Sequence, residues 1–108
     1  MIKAKVFRNN SGDVYSFKVS NHGDPIVCSA VSILSFNAVN SIISLTSLAS
    51  EDYYFKQEES GFISFNVVTH KVTTINKDVA LLLNSFYLGL KGITESYPKE
   101  INLKLITE

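Results

Sequence analysis

Tyr15-Ser16-Phe17-Lys18-Val19-Ser20 and Asp24-Pro25-Ile26-Val27-Cys28-Ser29-Ala30-Val31 are separated by three residues, Asn21-His22-Gly23. Across that gap the apolar period changes. Before it, Tyr15, Phe17 and Val19 alternate with Ser16, Lys18 and Ser20, the period of a half-buried strand. After it, Val27, Val31, Leu34, Ala38, Ile42, Leu45 and Ala49 recur at helical spacing, and the pattern predicts one long helix over 26–50. Asp24 suits the N-cap and Pro25 the first helical position. Ser, Asn and Thr fill much of the remainder and lower intrinsic helix propensity, so burial of the stripe has to hold this helix.

Upstream, Ile2, Ala4 and Val6 alternate with Lys3, Lys5 and Phe7, and Asn9-Asn10-Ser11-Gly12-Asp13 supplies turn chemistry, which together predict a hairpin. Downstream, 53–58 and 61–68 predict a second hairpin, with Ile63, Phe65 and Val67 on its alternating face. Val79, Leu82, Leu83, Phe86, Leu90 and Ile93 define a second helix that begins near Asn76 or Lys77 and ends before Pro98. Gly89 and Gly92 sit inside it, where each costs about 1 kcal/mol against Ala, and close contact with a neighbouring backbone would explain tolerating them. Ile101, Leu103 and Leu105 form a last short strand. The order is ββαββαβ: an α+β, two-layer domain with a largely antiparallel sheet packed against two long helices. Without its first strand this is the ferredoxin-like order βαββαβ, which RNA-recognition modules also use, but fold alone does not assign function.

The 108 residues fit a single domain, 1–108. With 45% hydrophobic and 19% charged residues, the chain is neither disordered nor a disulfide-stapled mini-protein. Ten basic residues balance ten acidic ones, which argues against direct nucleic-acid binding through phosphates. Uninterrupted apolar runs such as 79–83 are far shorter than the roughly 18 residues of a membrane span, so no membrane partner is expected. One cysteine and two histidines do not complete a zinc site, and no metal or cofactor is expected. Met1-Ile2-Lys3-Ala4-Lys5 has no apolar signal core, and the lone thiol reads as reduced and cytoplasmic.

His22-Gly23-Asp24-Pro25-Ile26-Val27-Cys28 is the one constellation with chemistry in it. Cys28 falls in the opening turn of the helix, whose positive end favours the thiolate, the nucleophilic form. His22 can take the thiol proton and return it to a leaving amine. Free N–H groups at the helix start are candidate oxyanion donors. The competing reading is a small buried hydrophobe, since Cys28 shares its sector with Ser32 and Ser35 at the boundary of the stripe. His70 is a second candidate base, although a loop histidine is usually solvated. Asp24 is a candidate third member, but its cap role accounts for it. Ser29, Ser32 and Ser35 are candidate cleft donors, Tyr53, Tyr54 and Phe55 more ordinary as core or interface, and Glu58 and Glu59 solvated.

The segment from Asp24 to Ser32, preceded by Val19-Ser20-Asn21-His22, resembles the bacterial ribosomal-processing cysteine protease (Prp) family. There a hairpin ends in Gly-His-Ala and a helix opens with Asp-Ile-Val-Cys-Ala-Ala-Val-Ser. Met1-Ile2-Lys3-Ala4 and Ser85-Phe86-Tyr87-Leu88-Gly89-Leu90 are also similar to family members. The resemblance implies a cysteine endopeptidase that removes the N-terminal extension of a large-subunit ribosomal protein precursor. It implies Cys28 as nucleophile, His22 as general base and acid, and a homodimer of small two-layer domains. Ser29 and Ser32 are the candidate substrate-binding residues. In this chain Asn21 stands where the family has Gly, and the bridge from His22 to Cys28 is shorter than the family's Gly-containing loop.

Two other function classes stay open on the residues alone. A non-catalytic protein that binds a ribosomal partner would carry an inert Cys28. An RNA-binding module would follow from the strand order and is opposed by the zero net charge.

Overall fold

A computed structural model describes residues 1–68 and 76–108. The elements are β1 (Ile2–Arg8), β2 (Val14–Ser20), α1 (Pro25–Leu45), a 3-10 turn (Ser50–Asp52), β3 (Tyr53–Gln57), β4 (Ile63–Val67), α2 (Lys77–Ser96) and β5 (Ile101–Thr107). The five strands form one sheet in the order β3-β4-β2-β1-β5. Three ladders are antiparallel, and β5 runs parallel to β1 over all seven residues. The sheet is therefore mixed, and the last strand is as long as the first. β1 lies between β2 and β5, so the ferredoxin-like order has one strand inserted beside its edge strand β5.

Both helices cover one face of the sheet. Ile2, Ala4 and Val6 of β1, Phe17 and Val19 of β2, and Ile63, Phe65 and Val67 of β4 turn toward them and are buried. Phe17 is the hub, with its ring centroid 4.2 Å from Phe86 on α2 and 6.1 Å from Phe65. Burying a side chain of this size contributes about 2–3 kcal/mol. A bulge opposite Arg8 breaks the β1–β2 register, so that Val14 takes the core side and Tyr15 is turned to the outer face. Simple alternation had placed Tyr15 with Phe17.

α1 ends earlier than its apolar spacing predicts. Thr46 donates its hydroxyl to the Ile42 carbonyl at 2.6 Å and accepts from the Leu48 N–H at 3.2 Å. These side-chain bonds compete with the helix and close it at Leu45. Ala49 consequently lies outside the helix and Leu45 is 72% exposed. The buried sector instead gains Ser35 and Val39, which moves it toward the side that carries Cys28. α1 has no charged residue and is long and apolar enough to cross a membrane by length and composition, but here its buried side packs into the core.

α2 begins where expected, with Asn76 capping the Asp78 N–H at 2.7 Å and reaching Ser47 at 3.2 Å. Gly89 meets a side chain rather than a backbone: a Cβ there would stand 2.8 Å from Leu34 Cδ2. Gly92 faces open space, so close packing does not account for it.

Candidate active site at the β2–α1 junction

Asn21 carries the turn out of β2 with φ of 69°, in the left-handed region. Among residues with a Cβ, asparagine tolerates that region best. This gives a physical reason why Asn can stand where the resembling family has Gly. Gly23 follows His22 and is wedged against the sheet: a Cβ on it would lie 3.2 Å from Ile2 Cγ1. The chain then enters α1 through Asp24 and Pro25.

This short turn brings His22 Nδ1 to 4.0 Å from Cys28 Sγ, the long end of a sulfur hydrogen bond. His22 is exposed, while Cys28 is half-buried and packs against the edge of the core. The nitrogen that faces the thiol is Nδ1. For His22 to accept the thiol proton, its resting tautomer has to carry hydrogen on Nε2. Catalytic hydrogen bonds are often this long before substrate tightens the site.

The helix start does not offer the oxyanion donors that its position predicts. Pro25 has no N–H. Asp24 Oδ1 accepts from Ile26 N at 2.9 Å and Val27 N at 3.3 Å, and Cys28 N already donates to the Asp24 carbonyl at 2.8 Å. An oxyanion there would have to displace the Asp24 carboxylate. Asp24 is thus the cap, with that oxygen committed to the helix rather than to His22.

The remaining candidates separate clearly. Ser32 is half-buried one turn beyond Cys28 on the same side of α1, whereas Ser29 is exposed and rotated away by about 100°. Ser35 is fully buried and donates to the Val31 carbonyl at 2.7 Å, which removes it from any cleft. Tyr53 stacks on Phe65 at 5.3 Å and Phe55 meets Phe36 edge-on at 6.5 Å. Glu58 pairs with Lys56 at the surface. His70 lies outside the described residues.

One participant was not visible in the sequence. Gly61, in the β3–β4 turn, has φ of 92° and backs directly onto the His22 ring, where a Cβ would come within 3.0 Å of Cε1 and 3.2 Å of Nε2. Its signal was only that of a turn glycine. Gly61→Ala should lower turnover, with KM nearly unchanged, because it pushes the imidazole off the thiol. Gly12 provides the control: its φ is 85° but nothing lies within 4 Å. Gly12→Ala should carry a similar backbone cost of about 1–2 kcal/mol and leave turnover intact. Equal kinetic loss in both variants would refute a positioning role for Gly61.

The cysteine protease Prp family model matches residues 1–102. The chain belongs to this family. It is 29% identical over 109 aligned positions to the ribosomal processing cysteine protease Prp of Staphylococcus aureus, across 95% of this chain and 97% of that protein. The crystal structure of the S. aureus Prp protease with a covalently linked product peptide superposes with a TM-score of 0.83 at 28% identity, covering 97% of this chain and 99% of that one. The same protease with a substrate peptide gives 0.81 at 25% identity, covering 97% and 99%. A Streptococcus mutans protein gives 0.78 at 26% identity, covering 100% and 99%. Membership in the Prp family makes the chain a peptidase of the cysteine class with an α+β fold.

Proposed function

We propose that the chain removes the N-terminal extension of a large-subunit ribosomal protein precursor, with Cys28 as nucleophile and His22 as general base and acid. The approach of Sγ and Nδ1 to 4.0 Å carries this reading. The S. aureus relative is named for ribosomal processing and holds peptide in its crystals, which supports the substrate class. In the first half-reaction His22 takes the thiol proton and Sγ bonds to the scissile carbonyl carbon. The C–N bond then breaks, the proton passes from His22 to the departing amine, and a thioester remains. In the second half, His22 deprotonates a water that attacks the thioester, and the thiol is regenerated.

Substrate lies beside the start of α1, with Ser32 on the Cys28 side as the proposed contact, while Ser29 faces about 100° away. β2 is an inner strand, and the sheet edges are β3 and β5. An extended peptide at Cys28 therefore crosses the strand ends instead of adding to an edge. The test is incubation with a peptide that spans the extension and mature start of such a precursor, read by mass spectrometry. A single cut with a transient acyl adduct on Cys28 is expected. No cut, together with a Cys28 that is inert to iodoacetamide, would replace this reading with the non-catalytic binding protein.

The proposal includes a homodimer in the cytoplasm. The outer side of the uncharged helix α1 leaves Ile33 70% exposed, an apolar surface suited to a second copy. Sedimentation should give twice the 12.0 kDa of one chain, and a monomer at all concentrations would remove the dimer. Recovery of the protein outside the cytoplasmic fraction would remove the location.

A further inference from the structure

The sheet face away from the helices carries a line of lysines. Lys5 on β1 is in register with Lys18 on β2 and with Lys104 on β5. Lys18 is opposite Ser64 on β4, which is opposite Lys56 on β3. One row across all five strands thus reads Lys56, Ser64, Lys18, Lys5, Lys104. Strands sit about 4.8 Å apart, so the row is roughly 19 Å long. All four lysines are exposed. Like charges directly opposite each other destabilise a sheet. Among the described residues only Lys56 has a carboxylate partner, Glu58 at 3.0 Å. Lys18 also holds its Nζ 6.0 Å over the Phe7 ring, and a bound anion would relieve the repulsion along the row.

The adjacent row on the same face is aromatic and polar: Tyr54, Asn66, Ser16, Phe7, Ile106. Tyr54 is 70% exposed. Tyr15, turned outward by the bulge, joins Phe7 and Tyr54 around an open depression of about 400 Å³, with Lys18 on its wall and Glu108 also lining it. Burial, and then the Glu108 carboxylate, push the Tyr15 phenol up and keep it a hydroxyl donor. Net charge hides this segregation: Lys3 also lies on this face, so five of the ten basic residues are here.

We propose that this face binds single-stranded RNA, with phosphates along the lysine row and bases stacked on Tyr54 and Tyr15. Any polyanion would satisfy the lysines. The aromatic row decides for a nucleic acid, because bases present flat faces to stack while an acidic peptide does not. Ser64 and Asn66, both half-buried on β4, lie within these rows and offer partners for a 2′-hydroxyl, which separates RNA from DNA. The face lies across the sheet from Cys28, so binding here does not depend on the peptidase assignment.

The test uses the full chain and a fluorescein-labelled oligouridylate of about 12 nucleotides, followed by anisotropy against salt. Four phosphate contacts give a slope of log affinity on log salt near −3, at about −0.7 per contact for a single strand. The Lys5→Gln/Lys18→Gln double variant should bind at least tenfold more weakly, with a slope shallower by about 1.4. Tyr54→Ala should weaken binding roughly tenfold and leave the slope unchanged. Peptide cleavage should be the same in the parent and in both variants, which also shows that each variant is folded. The proposal is overturned by absent binding at low salt, by affinity indifferent to Lys5 and Lys18, or by equal affinity for the matching DNA. Lysine-dependent binding of polyglutamate in place of RNA would assign the face to an acidic polypeptide. Lysine-dependent self-association that excludes RNA would assign it to a second copy of the chain.

Discussion

Replacing Cys28 with alanine should abolish cleavage of a precursor peptide while the protein stays folded. The half-buried thiol packs only at the edge of the core. Its loss should cost about 1 kcal/mol, within the ordinary range for single substitutions. In a domain of this size that lowers the melting temperature by about 4–8 °C. The chemistry has no such tolerance, because no thioester forms without Sγ. Cys28→Ser should be nearly inactive as well, because the hydroxyl is a far weaker nucleophile than a thiolate. It keeps the volume and the neighbour of His22, so it should still hold substrate. Cleavage by Cys28→Ala at a rate near the parent would end the nucleophile assignment, and a thermal melt of the same sample would show that loss of activity is not loss of fold.

Local chemistry was legible in the sequence, and long-range geometry was not. The change of period between Val19 and Val27, the Asp24 cap and the start of the second helix near Asn76 or Lys77 all act within a few residues, and each is found in place. The bulge that turns Tyr15 outward depends on how β1 and β2 pair, so alternation within β2 alone could not reveal it. The end of α1 was missed because the apolar spacing runs on through Ala49, and the Thr46 hydroxyl bonds that close the helix leave no trace in that period. The pairing of β5 with β1 joins the two ends of the chain, and nothing in Ile101, Leu103 and Leu105 names their partner. The site divides in the same way. His22 and Cys28 were readable because one short turn connects them. Gly61 was not, because it reaches the imidazole from a different hairpin. The oxyanion expectation failed for a local reason: a carboxylate at the N-cap consumes the donors that a bare helix start would leave free. The lysine row needed the register of four ladders at once, and the balanced net charge concealed it.

His22→Ala should lower kcat by about 10²–10⁴-fold, the usual contribution of a positioned general acid and base, with a much smaller change in KM. His22 is exposed, so truncating it removes little packing and the fold should persist. Two effects add in the kinetic loss. The thiol loses the group that takes its proton before attack, and the departing amine loses the group that protonates it. The first is open to direct measurement: alkylation of Cys28 by iodoacetamide at neutral pH should slow in His22→Ala without any substrate present. His22→Gln separates geometry from proton transfer, since its amide fills part of the same space but cannot act as a base. It should be as inactive as the alanine variant. Activity near that of the parent in either variant would remove His22 from the mechanism. A larger loss from His70→Ala than from His22→Ala would move the role of base to that residue, and the 4.0 Å contact with Cys28 would then be a structural neighbour and not the working pair.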